Sequence, residues 1–92
     1  MRYVLAYDVV KNSRRAKLFK RLRGLLTPVQ KSVFEGDLGD GALAELDALV
    51  HDVLDLQTDQ VRVYRLCAAC AREVRLHGAS VRLPNPDDPM EF

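Results

Sequence analysis

The side chains able to do chemistry in this 92-residue chain are few and unevenly placed. Asp8 follows Tyr7 at the mouth of a segment crowded with Arg14, Arg15, Lys17, Lys20, Arg21, Arg23 and Lys31. A carboxylate in that position can pair with one of those bases or accept from the free amides of a helix start. Cys67 and Cys70 have the Cys-x-x-Cys spacing of zinc and redox sites, but a structural zinc takes four ligands and the chain offers two cysteines. No thioredoxin-like setting, a strand followed by the pair at a helix start, is expected around them, so both are read as packing cysteines. His51 lies among helix acids and His77 beside Gly78, neither with a Cys or Ser at motif distance, which marks both as surface histidines. The sequence holds no phosphate-binding glycine loop, zinc finger or aromatic RNA-recognition motif.

Positioning Asp8 beside the basic segment takes a strand and a helix in close succession. Residues 2–9 carry Tyr3, Leu5 and Tyr7 on one face and Val4 and Ala6 on the other, the pattern of a central strand buried on both sides, with Asp8 at its carboxyl end. Asn12 or Ser13 can cap the helix that follows. Leu18, Phe19, Leu22, Leu25 and Leu26 recur at helical spacing and form its buried stripe, leaving Lys17, Lys20, Arg21 and Arg23 to reach water. Arg15 instead projects into the stripe, where an unpaired guanidinium is costly. Either its stem packs on the core with the head snorkelling past the helix end, or it pairs with Asp8 or Glu35.

Thr27-Pro28 is expected to end this helix, and residues 29–38 to be extended, with Gly36 and Gly39 either kinking the segment or splitting it in two. A second helix is expected from Asp40-Gly41 to about Leu56, with Leu43, Leu46, Leu49, Val50 and Val53 inward, and a strand over 60–66. After a short turn at Cys67–Cys70, residues 73–77 and 80–83 read as two short strands around Gly78. A single domain over 1–83 and a proline-rich tail over 84–92 follow, with no internal repeat.

Charge separates along the chain although the net is only +1. Residues 1–36 hold nine Lys and Arg against two acids, whereas residues 37–60 hold seven acids and no Lys or Arg. A molecule with one basic and one acidic face can attract phosphate with the first and a protein partner with the second, the alternative being a merely solvated dipolar surface. A chain of this length buries only about 60 to 65% of its unfolded surface, so help from a second subunit is expected. No apolar run approaches a membrane span and the first eight residues lack a signal peptide's organisation, which points to no membrane role and to the cytoplasm, where both cysteines stay reduced.

Tyr7-Asp8, Arg14-Arg15-x-Lys17-Leu18, Gln30-x-Ser32-Val33-Phe34-Glu35, Val61-Arg62-Val63-Tyr64 and Leu66-Cys67-Ala68-Ala69-Cys70 occur in the order and spacing of the CRISPR-associated Cas two family (Cas2), which residues 2–78 resemble. The resemblance implies a ferredoxin-like α+β fold, two helices on one face of an antiparallel sheet, with a symmetric homodimer formed through the C-terminal strands. It also implies a role in CRISPR adaptation, antiviral spacer acquisition in which the homodimer docks between dimers of the Cas one integrase. Many family members are described as metal-dependent endonucleases on single-stranded RNA or double-stranded DNA.

On this resemblance Asp8 is the metal ligand, and two copies of Asp8 across a two-fold axis would share one Mg²⁺, which often binds through one or two carboxylates plus substrate phosphates. Arg15 corresponds to a family arginine near the site and could clamp a phosphate. Ser32 matches a motif residue that could donate to substrate or simply close a strand-end hydrogen bond. Arg14, Lys17, Lys20, Arg21 and Arg23 form the expected nucleic-acid face. Tyr7 and Phe34 are assigned to interface or core packing rather than to base stacking. Pro28 stands where relatives commonly carry arginine, and the loop after Asp8 lacks the extra acids of many relatives. Outside the resemblance, the alternative is a small regulatory or toxin-like ferredoxin-fold dimer with no nucleic-acid role.

Overall fold

Tyr3, Leu5 and Tyr7 are buried on one side of the first strand, while Val4 and Ala6 on the other are half-buried, so this strand is covered heavily on a single face. A computed structural model describes residues 1–81 and 83. Its elements are β1 (Arg2–Asp8), α1 (Asn12–Leu22), β2 (Thr27–Gln30), β3 (Val33–Asp37), α2 (Asp40–Val53), β4 (Gln60–Leu66) and α3 (Ala68–Arg72). The four strands form one sheet in the order β2-β3-β1-β4 with antiparallel neighbours. With α1 and α2 packed on one face, this is the ferredoxin-like α+β architecture expected from the sequence.

The core lies between that face and the two helices. Leu18 and Leu22, one turn apart on α1, and Leu46, Leu49 and Val53 on α2 close over Leu5 and Phe34. Phe34 is fully buried, with the Phe19 ring edge-on at 5.2 Å and the Tyr7 ring tilted at 6.2 Å. Burying each such side chain stabilises the fold by about 1.5–3 kcal/mol.

Several local expectations are corrected. α1 ends at Leu22, one turn before Thr27-Pro28, and Pro28 lies inside the edge strand β2, where its missing N–H does little harm. Leu26 is nonetheless buried past the helix end. Neither Asn12 nor Ser13 caps α1: Lys11 occupies the cap position with no side-chain bond. The extended region divides at Lys31 and Ser32, not at Gly36 or Gly39. Gly36 serves close packing instead, since a Cβ there would meet Leu26 Cδ2 at 3.0 Å. Cys67–Cys70 opens a helix rather than forming a bare turn, and no strand forms over 73–77 or among the described residues of 80–83. The tail expected over 84–92 lies outside the described residues.

The face of the sheet away from α1 and α2 is only partly covered. Register sets Arg2 opposite Asp37 and next to Glu35 on this face. Arg2 Nη1 donates to Glu35 at 2.9 Å and Nε to Asp37 at 3.1 Å, leaving the guanidinium 3% exposed beneath Ala71, Val74 and Leu76 of the C-terminal segment. Farther along, Val4, Val29 and Val33 line a depression under residues 74–81. β4 closes one edge of the sheet, and Tyr64 on this open face and Val63 on the other are both exposed.

Candidate active site and nucleic-acid face

Asp8 ends β1, opposite Gln60 of β4, and is exposed. Strand alternation sets it on the open face, with Val4 and Ala6. The strands carry three carboxylates, and two of them, Glu35 and Asp37, are taken by Arg2. Asp8 has neither a hydrogen-bond nor an ion-pair partner among the described residues. No group of three or more His, Cys, Asp or Glu able to hold a metal occurs among the described residues either. One chain thus offers a divalent cation a single hard oxygen donor, which fits Mg²⁺ only if water, substrate phosphate or a second copy completes its shell.

Arg15 does not meet either of its expected counter-ions. Its Nη1 donates to Asn12 Oδ1 at 2.6 Å and its Nη2 to the Val10 carbonyl at 3.5 Å, while Glu35 is engaged by Arg2. The stem is half-buried and the head reaches out past the helix start, so the awkward inward projection is resolved by snorkelling. Arg15 and Ser32 do come together: with Tyr7, Asn12, Phe19 and Lys31 they line one solvent-open groove on the helix side. The Tyr7 amide donates to the Ser32 carbonyl at 3.1 Å and the Tyr7 hydroxyl to the Lys31 carbonyl at 3.4 Å, tying the β2–β3 turn to the end of β1. Asp8 is the next residue after Tyr7 but does not line this groove.

Of the five basic residues expected to face nucleic acid, Lys17, Lys20 and Arg23 are exposed, Arg23 lying 5.9 Å above the Phe19 ring. Arg21 is exposed too but bridges to Asp52 of α2 at 2.6 Å, stitching the basic helix to the acidic one. Arg14 is committed elsewhere, its Nε donating to Asp59 at 2.8 Å.

Asp59 was not singled out by its sequence setting, because two of its partners, Arg14 and Val10, sit 45 and 49 residues away. Its side chain is fully buried and accepts from Arg14, from the Val10 amide at 3.0 Å and from the Asp55 amide at 3.0 Å. The Arg14 bond holds its carboxyl far below the usual range; burial opposes this, and the two backbone amides reinforce it. The residue therefore fixes the chain two positions after Asp8. Lys31 and Asn12 are further groove residues, the first read in the sequence only as one of the bases after Asp8 and the second only as a helix cap.

Among the described residues no helix is long and apolar enough to cross a membrane. The chain is similar to CRISPR-associated endoribonuclease Cas2 1 of Chloroflexus aurantiacus, 37% identical over 79 residues that cover 85% of each protein. It is also similar to CRISPR-associated endonuclease Cas2 2 of Thermus thermophilus, 39% identical over 62 residues, 67% of this chain and 69% of that one. The crystal structure of Streptococcus pyogenes Cas2 superposes with a TM-score of 0.76 at 25% identity, covering 85% of this chain and all of the other. The family described as CRISPR associated protein Cas2 matches residues 1–74, a span holding β1 with its terminal Asp8, the groove, both packed helices and all of β4. Sequence and fold thus agree, and the chain belongs to the Cas2 family.

Proposed function

We propose that this protein acts in CRISPR adaptation as a homodimer that binds nucleic acid, and that Asp8 is the metal ligand of an endonuclease centre cutting RNA or double-stranded DNA. The observation that carries the reading is the unpaired carboxylate of Asp8 on a sheet whose other strand acids are both taken by Arg2. The names of the relatives, endoribonuclease and endonuclease, point the same way. A second copy against the open face, where Tyr64 and the edge of β4 are exposed, would bring two Asp8 carboxylates toward one Mg²⁺. Bound there, Mg²⁺ supplies Lewis-acid polarisation of a phosphoryl oxygen and a water of lowered pKa.

The chain's own groups bind and orient the substrate. Lys17, Lys20 and Arg23 attract the phosphate backbone without reading sequence, with Arg21 contributing when it leaves Asp52. Arg15 exchanges Asn12 for a phosphate oxygen, and the Ser32 hydroxyl donates to the substrate in the same groove. The acidic segment 37–60 presents the opposite charge, suited to a protein partner such as the integrase that the homodimer would scaffold.

The test is cleavage of RNA and duplex DNA with and without Mg²⁺, comparing the wild type with Asp8→Asn. Activity is expected to need the metal and to fall by about 100-fold or more in the variant. Cleavage that survives in Asp8→Asn, or that is absent from both proteins, removes the nuclease reading and leaves binding to be tested separately.

A further inference from the structure

Cys67 and Cys70 are not packed as the sequence reading has them: both thiols are exposed. β4 ends at Leu66, Cys67 takes the cap position with extended backbone (φ −68°, ψ 167°), and α3 starts at Ala68. The pair therefore does sit at a strand-to-helix junction, the setting the sequence was expected to lack. The first helical turn turns residue 70 back toward residue 67. The Cys70 amide donates to Cys67 Sγ at 3.4 Å, which sets the two cysteines side by side at the start of α3. No third metal ligand accompanies them among the described residues.

The two sulfurs are chemically unequal. The Cys70 amide, and then the Cys70 thiol, hold Cys67 below the ordinary thiol range. Donating its hydrogen to Cys67, and facing the negative charge there, pushes Cys70 above it. Cys67 is therefore the more readily ionised of two exposed thiols, and Cys70, one helical turn on, the more firmly protonated.

We propose that Cys67 and Cys70 form a redox-active dithiol that reacts with low-molecular-weight disulfides, Cys67 attacking and Cys70 resolving. The Cys67 thiolate attacks one sulfur of the external disulfide, whose S–S bond breaks to release one thiolate and leave a mixed disulfide. Cys70 loses its proton to solvent and attacks the Cys67 sulfur, releasing the second thiolate and closing the Cys67–Cys70 bond. Two protein thiols are oxidised by two electrons, and one disulfide is reduced to two thiols. The closed ring staples the start of α3, the joint from which residues 73–81 run back over the open face of the sheet. This chemistry does not depend on the nuclease reading.

The test uses the reduced full-length chain in excess oxidised glutathione, quenched with acid and weighed intact. The wild type is expected to lose two hydrogens and to retain no glutathionyl group. Cys70→Ser is expected to accumulate one glutathionyl group on residue 67. Cys67→Ser, which keeps an oxygen to cap α3, is expected to be glutathionylated on Cys70 about 10-fold more slowly or worse. Wild type that carries glutathionyl groups without closing the ring, or equal rates in the two single variants, overturns the proposal.

Discussion

Asp59 gathers the Arg14 guanidinium and the amides of Val10 and Asp55 on one buried carboxylate. Its folded pKa is depressed, so the stability it contributes is fully present above the unfolded carboxylate's pKa of about 4, declines as pH falls below that, and is gone only once pH has fallen through the lower folded value. Asp59→Asn should therefore lower the urea midpoint most at pH 7 and by a smaller margin at pH 3; an equal drop at both would mean the carboxylate's charge is irrelevant. Such a residue is hard to read in a sequence. Asp59 is one of seven acids between residues 37 and 60, and only the fold reveals that its partners come from the other end of the chain. The place of Asp8 was legible because strand end and motif coincide there, and Arg15 was legible as a choice between snorkelling and pairing that the sequence left open. A guanidinium satisfied by the adjacent turn leaves the same trace in a sequence as one that seeks a distant acid.

Elements with several turns or repeats of one periodicity could be read directly. β4 lies where the pattern puts it, as a seven-residue run rich in Val, Tyr and Leu, and α2 starts as expected but ends at Val53, short of Leu56; Leu46, Leu49 and Val53 can share only one helical face. α3 has five residues, too few to show a period, and the break at Lys31 and Ser32 carries no glycine or proline. Phe34 on β3 gives a test at this scale, since full burial between Tyr7 and Phe19 makes it a core residue rather than a base-stacking platform. Phe34→Ala should cost about 3–5 kcal/mol in denaturant unfolding. A variant of unchanged stability but weakened nucleic-acid binding would reverse the assignment.

Across the whole molecule, the two charged segments become neighbouring helices instead of opposite ends. Arg21 and Asp52 meet at their seam, and Lys17, Lys20 and Arg23 remain exposed on the basic side. If these three hold phosphates, Lys17→Glu, Lys20→Glu and Arg23→Glu together should weaken duplex binding. They should also reduce the slope of log affinity against log salt by about 2 to 3, since each phosphate contact contributes roughly 0.9. An unchanged slope would exclude this face. The link at Asp59 has a consequence of another kind. It joins the exit of β1, the first turn of α1 and the approach to β4, an edge strand that the sheet holds from one side only. Fraying of that edge and loosening of the chain behind Asp8 are then a single local opening event, so the lifetime of the site's shape is tied to how long β4 stays zipped to β1.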